Sequence, residues 1–266
     1  MRPRRLAALK FVFRHADPPP EMIEGLNSAA AGMAAQRHRI DAVANDLANT
    51  STTGYKQVRV GFRDLAYSQA GKASELGVRT GSGAAAVDAG RTMGQGALQR
   101  TDRSLDLALQ GEGFLAVTLA DGRQALTRDG ALHVDGAGRL TTGLGGLVRP
   151  GITVPDGTPE SAIAVAPDGT VTAAGRALGR LQLVNVRSPQ LMQSVGDNAF
   201  VPTPESGPAG PAPRSTVLTQ GALEASNVDV AQAMVSMIEA QRAFALASKA
   251  ITTADQMMEI ANGVKR

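Results

Sequence analysis

The side chains that could do chemistry in this chain are few, and their spacing works against them. A base or metal site built on imidazole needs partners nearby, yet the three histidines (His15, His38 and His133) are scattered. His133 sits between Leu132 and Val134 and reads as a strand residue. His38 falls on the charged face of a helical stretch. The absence of Cys excludes disulfides, thiolate metal sites and cysteine nucleophiles. Gly111-Glu112-Gly113 and Gly143-Leu144-Gly145-Gly146 have the look of phosphate cradles. Neither completes a phosphate loop or leads from a strand into a helix, so both read as tight turns. Five Asp-Gly pairs, at Asp121, Asp129, Asp135, Asp156 and Asp168, could suggest calcium, but the alternating acids of a calcium loop are missing. No residue is therefore assigned as catalytic, cofactor-binding or metal-ligating, and neither an enzymatic activity nor a small-molecule substrate is expected.

The charge points to no nucleic acid either. The sequence pI is about 9.6. However, residues 1–21 carry Arg2, Arg4, Arg5, Lys10 and Arg14 against Asp17 and Glu21, which is the whole of the chain's net +3. From Met22 onward 22 bases meet 22 acids. The leader has a basic start, but Lys10 and Arg14 interrupt its apolar stretch. Pro18, Pro19 and Pro20 stand where a cleavage site would be. It reads as a disordered or mis-assigned start, not a cleaved signal, and the Pro run is expected to stop any helix before Met22. No run approaches 18 apolar residues.

With no chemistry to position, the periodicity carries the information. Over 22–54, Leu26, Met33, Ile40 and Leu47 recur every seventh residue, and Gly54 ends the helical stretch. Over 226–263, Val230, Met237, Phe244, Ile251 and Met258 form one heptad column. Ala233, Ala240, Ala247 and Ala254 form a second column three positions later. Ser226-Asn227-Val228-Asp229 supplies the N-cap candidates. A helix of roughly 36 residues would be about 54 Å long, too long for one small domain to cover. Neither helix can bury its stripe alone, so the two are expected to pack on each other and on neighbouring copies. An intramolecular helical hairpin is the alternative.

Between the helices the period falls to two. Runs at Phe114–Leu119, Gln124–Thr127, Ala131–Val134, Ile152–Val154, Ile163–Val165 and Leu181–Val186 alternate with the Asp-Gly pairs, for which type I′ hairpin turns are expected. The fold class is thus α+β: long N- and C-terminal coiled-coil-like helices flanking an all-β central domain. The expected divisions are a leader (1–21), an N-terminal helix (22–54), an extended connector (55–100), a β-domain (101–201), a Pro-rich arm with the approach to the last helix (202–225), and a C-terminal helix (226–263). Lys72–Gly96 is expected to be loop or extended chain.

These stretches resemble the bacterial flagellar rod/hook family. Ala44-Asn45-Asp46-Leu47-Ala48-Asn49 followed by Thr53-Gly54-Tyr55-Lys56 is similar to its A-N-N-L-A-N and T-x-G-F-K pattern, with Asp46 and Tyr55 as departures. Gly111–Val117 and Thr127-Arg128-Asp129-Gly130 resemble its β-domain signatures. Gly221–Asp229, with Asn227, and Met237–Phe244, with Gln241 and Arg242, resemble its C-terminal motif. Length and the Ser226–Met258 region are most like the distal rod members, with the proximal rod members as the alternative. The resemblance implies a structural subunit without enzymatic activity or cofactor. It would be exported unfolded through the flagellar export apparatus without a cleaved signal. It would polymerise with its own copies, other rod proteins and the hook into a tubular shaft in the basal body that transmits torque. A reading from another class is a soluble β-domain binding module with a helical dimerisation hairpin. Limited proteolysis separates the two, since the rod reading expects the free subunit to lose both ends and keep roughly Thr101–Val201.

Overall fold

The structure, a computed structural model, describes residues 20–65, 67–68, 80–143 and 145–263. Among the described residues, two helices enclose twenty strands in the sequence. The helices are α1 (Pro20–Ala48) and α2 (Val230–Gly263). The first strands are β1 (Val58–Asp64), β2 (Tyr67–Ser68), β3 (Thr80–Gly81), β4 (Ala84–Arg91), β5 (Leu98–Arg100), β6 (Leu107–Gln110), β7 (Phe114–Thr118), β8 (Gln124–Thr127), β9 (Leu132–Val134) and β10 (Leu140–Thr142). The rest are β11 (Leu147–Val148), β12 (Ile163–Val165), β13 (Thr170–Ala173), β14 (Arg176–Arg180), β15 (Leu183–Asn185), β16 (Gln193–Gly196), β17 (Ala199–Val201), β18 (Gly210–Pro211), β19 (Val217–Gln220) and β20 (Ala222–Glu224).

The β-body is built on one antiparallel sheet in the order β16-β17-β8-β7-β11-β10-β9, with β15 also pairing β7 and β18. A second sheet, β12-β13-β14, supplies Ile163, Val165, Val171 and Ala173 to the main core, where they join Leu107, Leu109, Leu115, Val117 and Leu218. The other face of β7 feeds a smaller cluster around Phe114, Leu126, Val184 and Phe200. The period-two alternation of β7 thus splits between two cores. Residues before and after the sheet close it: β6 pairs β19 and β5 pairs β20.

Several expectations are corrected. α1 begins at Pro20, two residues before Met22. Proline is favoured in the first helical turn because the N–H it lacks would be unused there. The helix ends at Ala48, and Asn49–Gly54 is turn. α2 begins at Val230, not 226. Asp229 caps it, its carboxylate accepting the N–H groups of Ala231 and Gln232 at 2.9 and 3.2 Å. The span given to the extended connector contains a hairpin, β1 with β4, that lies against α1; part of the Lys72–Gly96 stretch, residues 72–79, lies outside the described residues. The Ile152–Val154 run forms only an isolated bridge, Thr153 with Arg139.

The Asp-Gly turns are not type I′. None of the five aspartates has positive φ. At Asp121 the carboxylate accepts the N–H of Arg123, and only Gly122 enters the left-handed region, at φ +83°. The Asp168 turn repeats this through Thr170 N–H and Gly169. The aspartate acts by accepting a backbone bond, and the glycine supplies the single left-handed residue of a bulged turn. Consecutive positive-φ residues occur instead at Gly196-Asp197-Asn198, from the end of β16 into the turn before β17, and at Ala174-Gly175, between β13 and β14.

Candidate assembly surfaces and a buried clasp

α1 and α2 run side by side and antiparallel, with Arg39 bonded to Glu239 at 3.2 Å across the pair. The deepest residues of α2 are Ala233 and Ala240, the latter with no exposed surface. Small side chains let the backbones approach, and the larger residues flank the contact. Met237, Ile251 and Met258 are half-buried, as are Ala247 and Ala254, while Val230 and Phe244 remain exposed. On α1, Leu26, Met33, Ile40 and Leu47 are all half-buried, and the fully buried positions are Ala35 and Asp46. The opposite side of α2 carries Val235, Ile238, Leu246, Met257 and Ile260 into solvent, with Leu246 73% and Ile260 67% exposed. Gln241 and Arg242 are exposed, and Arg242 lies one turn from both Ile238 and Leu246.

Where the helices meet the β-body, three distant stretches lock together. Lys56 and Glu224 are fully buried and joined at 2.6 Å between Nζ and Oε1. Arg128, also buried, reaches Glu224 Oε2 through Nη1 at 3.1 Å and donates from Nη2 to Gly111 O at 2.7 Å. Lys56 also donates to Gly94 O at 2.7 Å, and Glu224 accepts from Gly96 N–H at 2.8 Å. Two cations thus share one carboxylate. Burial pulls the Lys56 ammonium below its usual range, opposed by Glu224 and reinforced by the Arg128 charge.

The motif residues extend this clasp. Gly54 donates to Glu224 O at 2.7 Å, with φ +67°. A Cβ there would stand 2.7 Å from the backbone of Arg128 and Asp129, so only glycine lets the chain pass. Asn227 accepts from Gln57 N–H and donates to Thr92 O and Gly94 O. Asn49 Nδ2 donates back to Asn45 at 2.9 Å, closing the end of α1, and Thr50 Oγ1 donates to Leu47 O. Thr53 is held from both sides, donating to Asp129 Oδ1 and accepting from Asn198 Nδ2.

Asp46 and Tyr55, the two departures from the family pattern, are partners. The Tyr55 hydroxyl donates to Asp46 Oδ1 at 2.8 Å, and Val58 N–H donates to the same oxygen at 3.0 Å. Burial pushes the Asp46 carboxyl above its usual range despite these bonds. Burial, with the Asp46 carboxylate beside it, pushes the Tyr55 phenol up to about 12 from 10.0. A raised folded-state pKa means stability is lost as pH climbs from 10.0, where the unfolded phenol ionises, toward 12. The chain has two Tyr and no Trp, so a Tyr67→Phe variant isolates the signal of Tyr55. Its tyrosinate absorbance is expected to rise with a midpoint near 12 when folded and near 10 in denaturant. A folded midpoint near 10 would show that the Tyr55 phenol is neither buried nor held by Asp46.

Among the described residues no group of three or more His, Asp or Glu could hold a metal ion. His38 and His133 are exposed, and His15 lies outside the described residues. Lys56, Arg128 and Glu224 lie inside the motif stretches quoted from the sequence but receive no role there, whereas Asn45, Asn49, Gly54 and Asn227 are named as motif residues. The available signal was the alternation Ala222-Leu223-Glu224, which puts Glu224 on the buried side with Ala222.

Comparison with known proteins singles out the same three stretches. The model of the flagella basal body rod protein family matches residues 26–56, that of the flagellar hook protein FlgE/F/G D1 domain matches 108–173, and that of the flagellar basal body rod FlgEFG protein C-terminal region matches 219–264. Lys56, Arg128 and Glu224 each fall within one of the three. Flagellar basal-body rod protein FlgG of Borreliella burgdorferi is 36% identical over 264 residues, covering 92% of this chain and 100% of the relative. The FlgG proteins of Caulobacter vibrioides and Buchnera aphidicola are 36% and 37% identical, covering 89% and 90% of this chain and 97% and 98% of theirs. With that identity sustained along almost its whole length, the chain belongs to the flagellar basal-body rod protein family.

Proposed function

We propose that this chain is a non-enzymatic structural subunit of the distal part of the basal-body rod, which polymerises with its own copies into a helical tubular shaft and carries torque from motor to hook. The observation that carries this reading is the combination of the clasp with the uncovered apolar side of α2. The clasp fixes both helices to one end of the β-body, and the helix pair presents a second apolar stripe that its own chain leaves in water. Burying each such side chain contributes roughly 1.5–3 kcal/mol, and contacts between unlike surfaces that do not close into a ring extend into a filament. In this reading the helices form coiled-coil-like inner layers and the β-body an outer layer. Other rod proteins, the hook and the export apparatus are the further partners. The helix seams and the motif residues Asn45, Leu47, Asn49, Gly54, Asn227, Gln241 and Arg242 serve assembly.

The packing of α1 on α2 within one chain also supports the second reading, a soluble binding module with a helical hairpin. Limited proteolysis of the purified subunit separates them. Because β5, β6, β19, β20 and the clasp close around the sheet, the fragment expected to survive widens from Thr101–Val201 to roughly residues 50–230, with both helices lost. A protease-resistant full-length dimer would favour the binding module. Electron microscopy of basal bodies from a deletion strain tests the position in the rod. Rods that stop before the hook support the distal assignment, and absence of nearly all rod would place the subunit proximally.

A further inference from the structure

Two surface features of the β-body have opposite charge and lie on opposite faces of β7. At the Phe114 end, a cleft of about 810 Å³ opens between the stretch 91–95 and the loop after β15. Arg59, Arg91, Arg128 and Arg187 line it against a single acid, Glu112. Arg128 forms part of this wall while almost fully buried, and its Nε has no partner. Its guanidinium lies 5.3 Å from the Phe114 ring, and Arg91 lies 5.7 Å from Phe200, so aromatic faces hold both cations in place. Arg187 is exposed and has no carboxylate partner among the described residues.

On the other face of β7, a recess of about 270 Å³ runs the length of the strand, from Asp121, which is bonded to the one base there, Arg123, to Asp129 and Asp197 beside the Leu115 end. Val117 and Leu119 form its apolar wall. Phe114 belongs to the small core cluster and Val117 to the main one, so the cleft and the recess lie on opposite faces of β7. The Asp197-Asn198 turn projects from the recess with φ of +53° and +52°, a tight two-residue tip.

We propose that the arginine cleft of one subunit receives the acidic rim of the recess, Asp121 and Asp197, from the next copy of this chain. Placed on opposite faces of one sheet, the two surfaces cannot satisfy each other within a subunit or in a two-fold dimer that pairs like with like. They can do so head to tail, which propagates without closing. Complementary charge sets register and rejects wrong neighbours, which is what stacking of identical β-bodies requires. The proposal rests on the rod reading and adds which surfaces meet.

The test is an exchange of charge in the full chain, expressed in a deletion strain and read by counting basal bodies with complete rods. Arg59→Glu with Arg187→Glu is expected to reduce complete rods at least tenfold, and so is Asp121→Lys with Asp197→Lys. The chain carrying all four substitutions restores complementarity with opposite polarity and is expected to recover to within about threefold of the original. Arg187→Gln and Asp197→Asn, which keep the turn and only neutralise, are expected to give intermediate losses, and they provide the same test if a reversal impairs folding. If the reversed pairs build rods normally, or the four-residue exchange is as defective as either pair while every variant melts like the original protein, the head-to-tail contact is wrong and the rod reading survives. If the unaltered chain restores no rods, the rod reading fails and takes this contact with it.

Discussion

Glu224→Ala is expected to lower the melting temperature of the purified subunit by roughly 6–20 °C and to abolish rods in the cell. The carboxylate is fully buried and holds Lys56 and Arg128 together, while its backbone carbonyl accepts the Gly54 N–H. Removing one partner from a buried ion pair costs about 3–5 kcal/mol, because the charge left behind is neither solvated nor paired. Here two cations are left, at a point where water does not reach. Against a domain stability of about 5–15 kcal/mol, such a loss is large, and for a unit of this size each kcal/mol moves the midpoint by about 2–4 °C. Glu224→Gln keeps an acceptor for Gly96 N–H but not the charge, so it is expected to fall only slightly short of the alanine variant. Lys56→Met should be milder than either, because it leaves Arg128 and Glu224 as a balanced pair. A calorimetric midpoint for Glu224→Ala within about 2 °C of the original protein would show that the clasp does not hold the fold.

The clasp explains why the helices were legible in the sequence and the joint between them was not. Seven-residue recurrence at Leu26–Leu47 and Val230–Met258 is a local signal, since each turn of a helix repeats the same burial decision. The β-region was equally open to reading, because alternating apolar runs and Asp-Gly pairs record a local backbone choice. Two details differed: the Ile152–Val154 run made only an isolated bridge, and in the turns the carboxylates accept N–H bonds without entering the left-handed region themselves. The joint depends on residues 96 and 168 positions apart, Arg128 with Glu224 and Lys56 with Glu224. Nothing within a window of neighbours distinguishes Arg128, which is buried, from Arg123 and Arg139, which pair with nearby aspartates in solvent. The family motifs marked the place without its mechanism. Gly54 suggested a helix end, while its contact is with the backbone of Arg128 and Asp129, about seventy-five residues on.

The heptad column in α2 required a different adjustment. A coiled-coil reading gives the large residues to the interior, yet the closest approach to α1 is made through alanine, and Val230 and Phe244 stay exposed. Close packing on the small residues turns the helix so that a second set of apolar side chains, with Leu246 and Ile260 the most exposed, faces away from α1. One helix therefore has two apolar sides: its own chain covers the first, and neighbouring copies cover the second in the proposed rod.

Leu246→Asp separates those two sides and is expected to have the largest effect on assembly for the least effect on the subunit. The side chain is 73% exposed and makes no contribution to either core cluster. Surface substitutions of this kind usually change stability by less than about 0.5 kcal/mol, so the purified variant should melt and digest like the original. In the rod the same position would bring a carboxylate into an apolar contact between copies. An unpaired charge in such a place is far more costly than the lost apolar contact, and the cost recurs at every subunit. Complete rods and swimming are therefore expected to disappear. Ala240→Asp should behave differently, since that position has no exposed surface in the lone chain; it is expected to detach α2 from α1 and lower helix content before any assembly begins. Together the variants place the two sides of α2 in order, one acting within the subunit and the other between subunits. Normal motility with Leu246→Asp would mean that the outward side of α2 faces solvent in the assembled rod, and that the subunits join through the β-bodies instead.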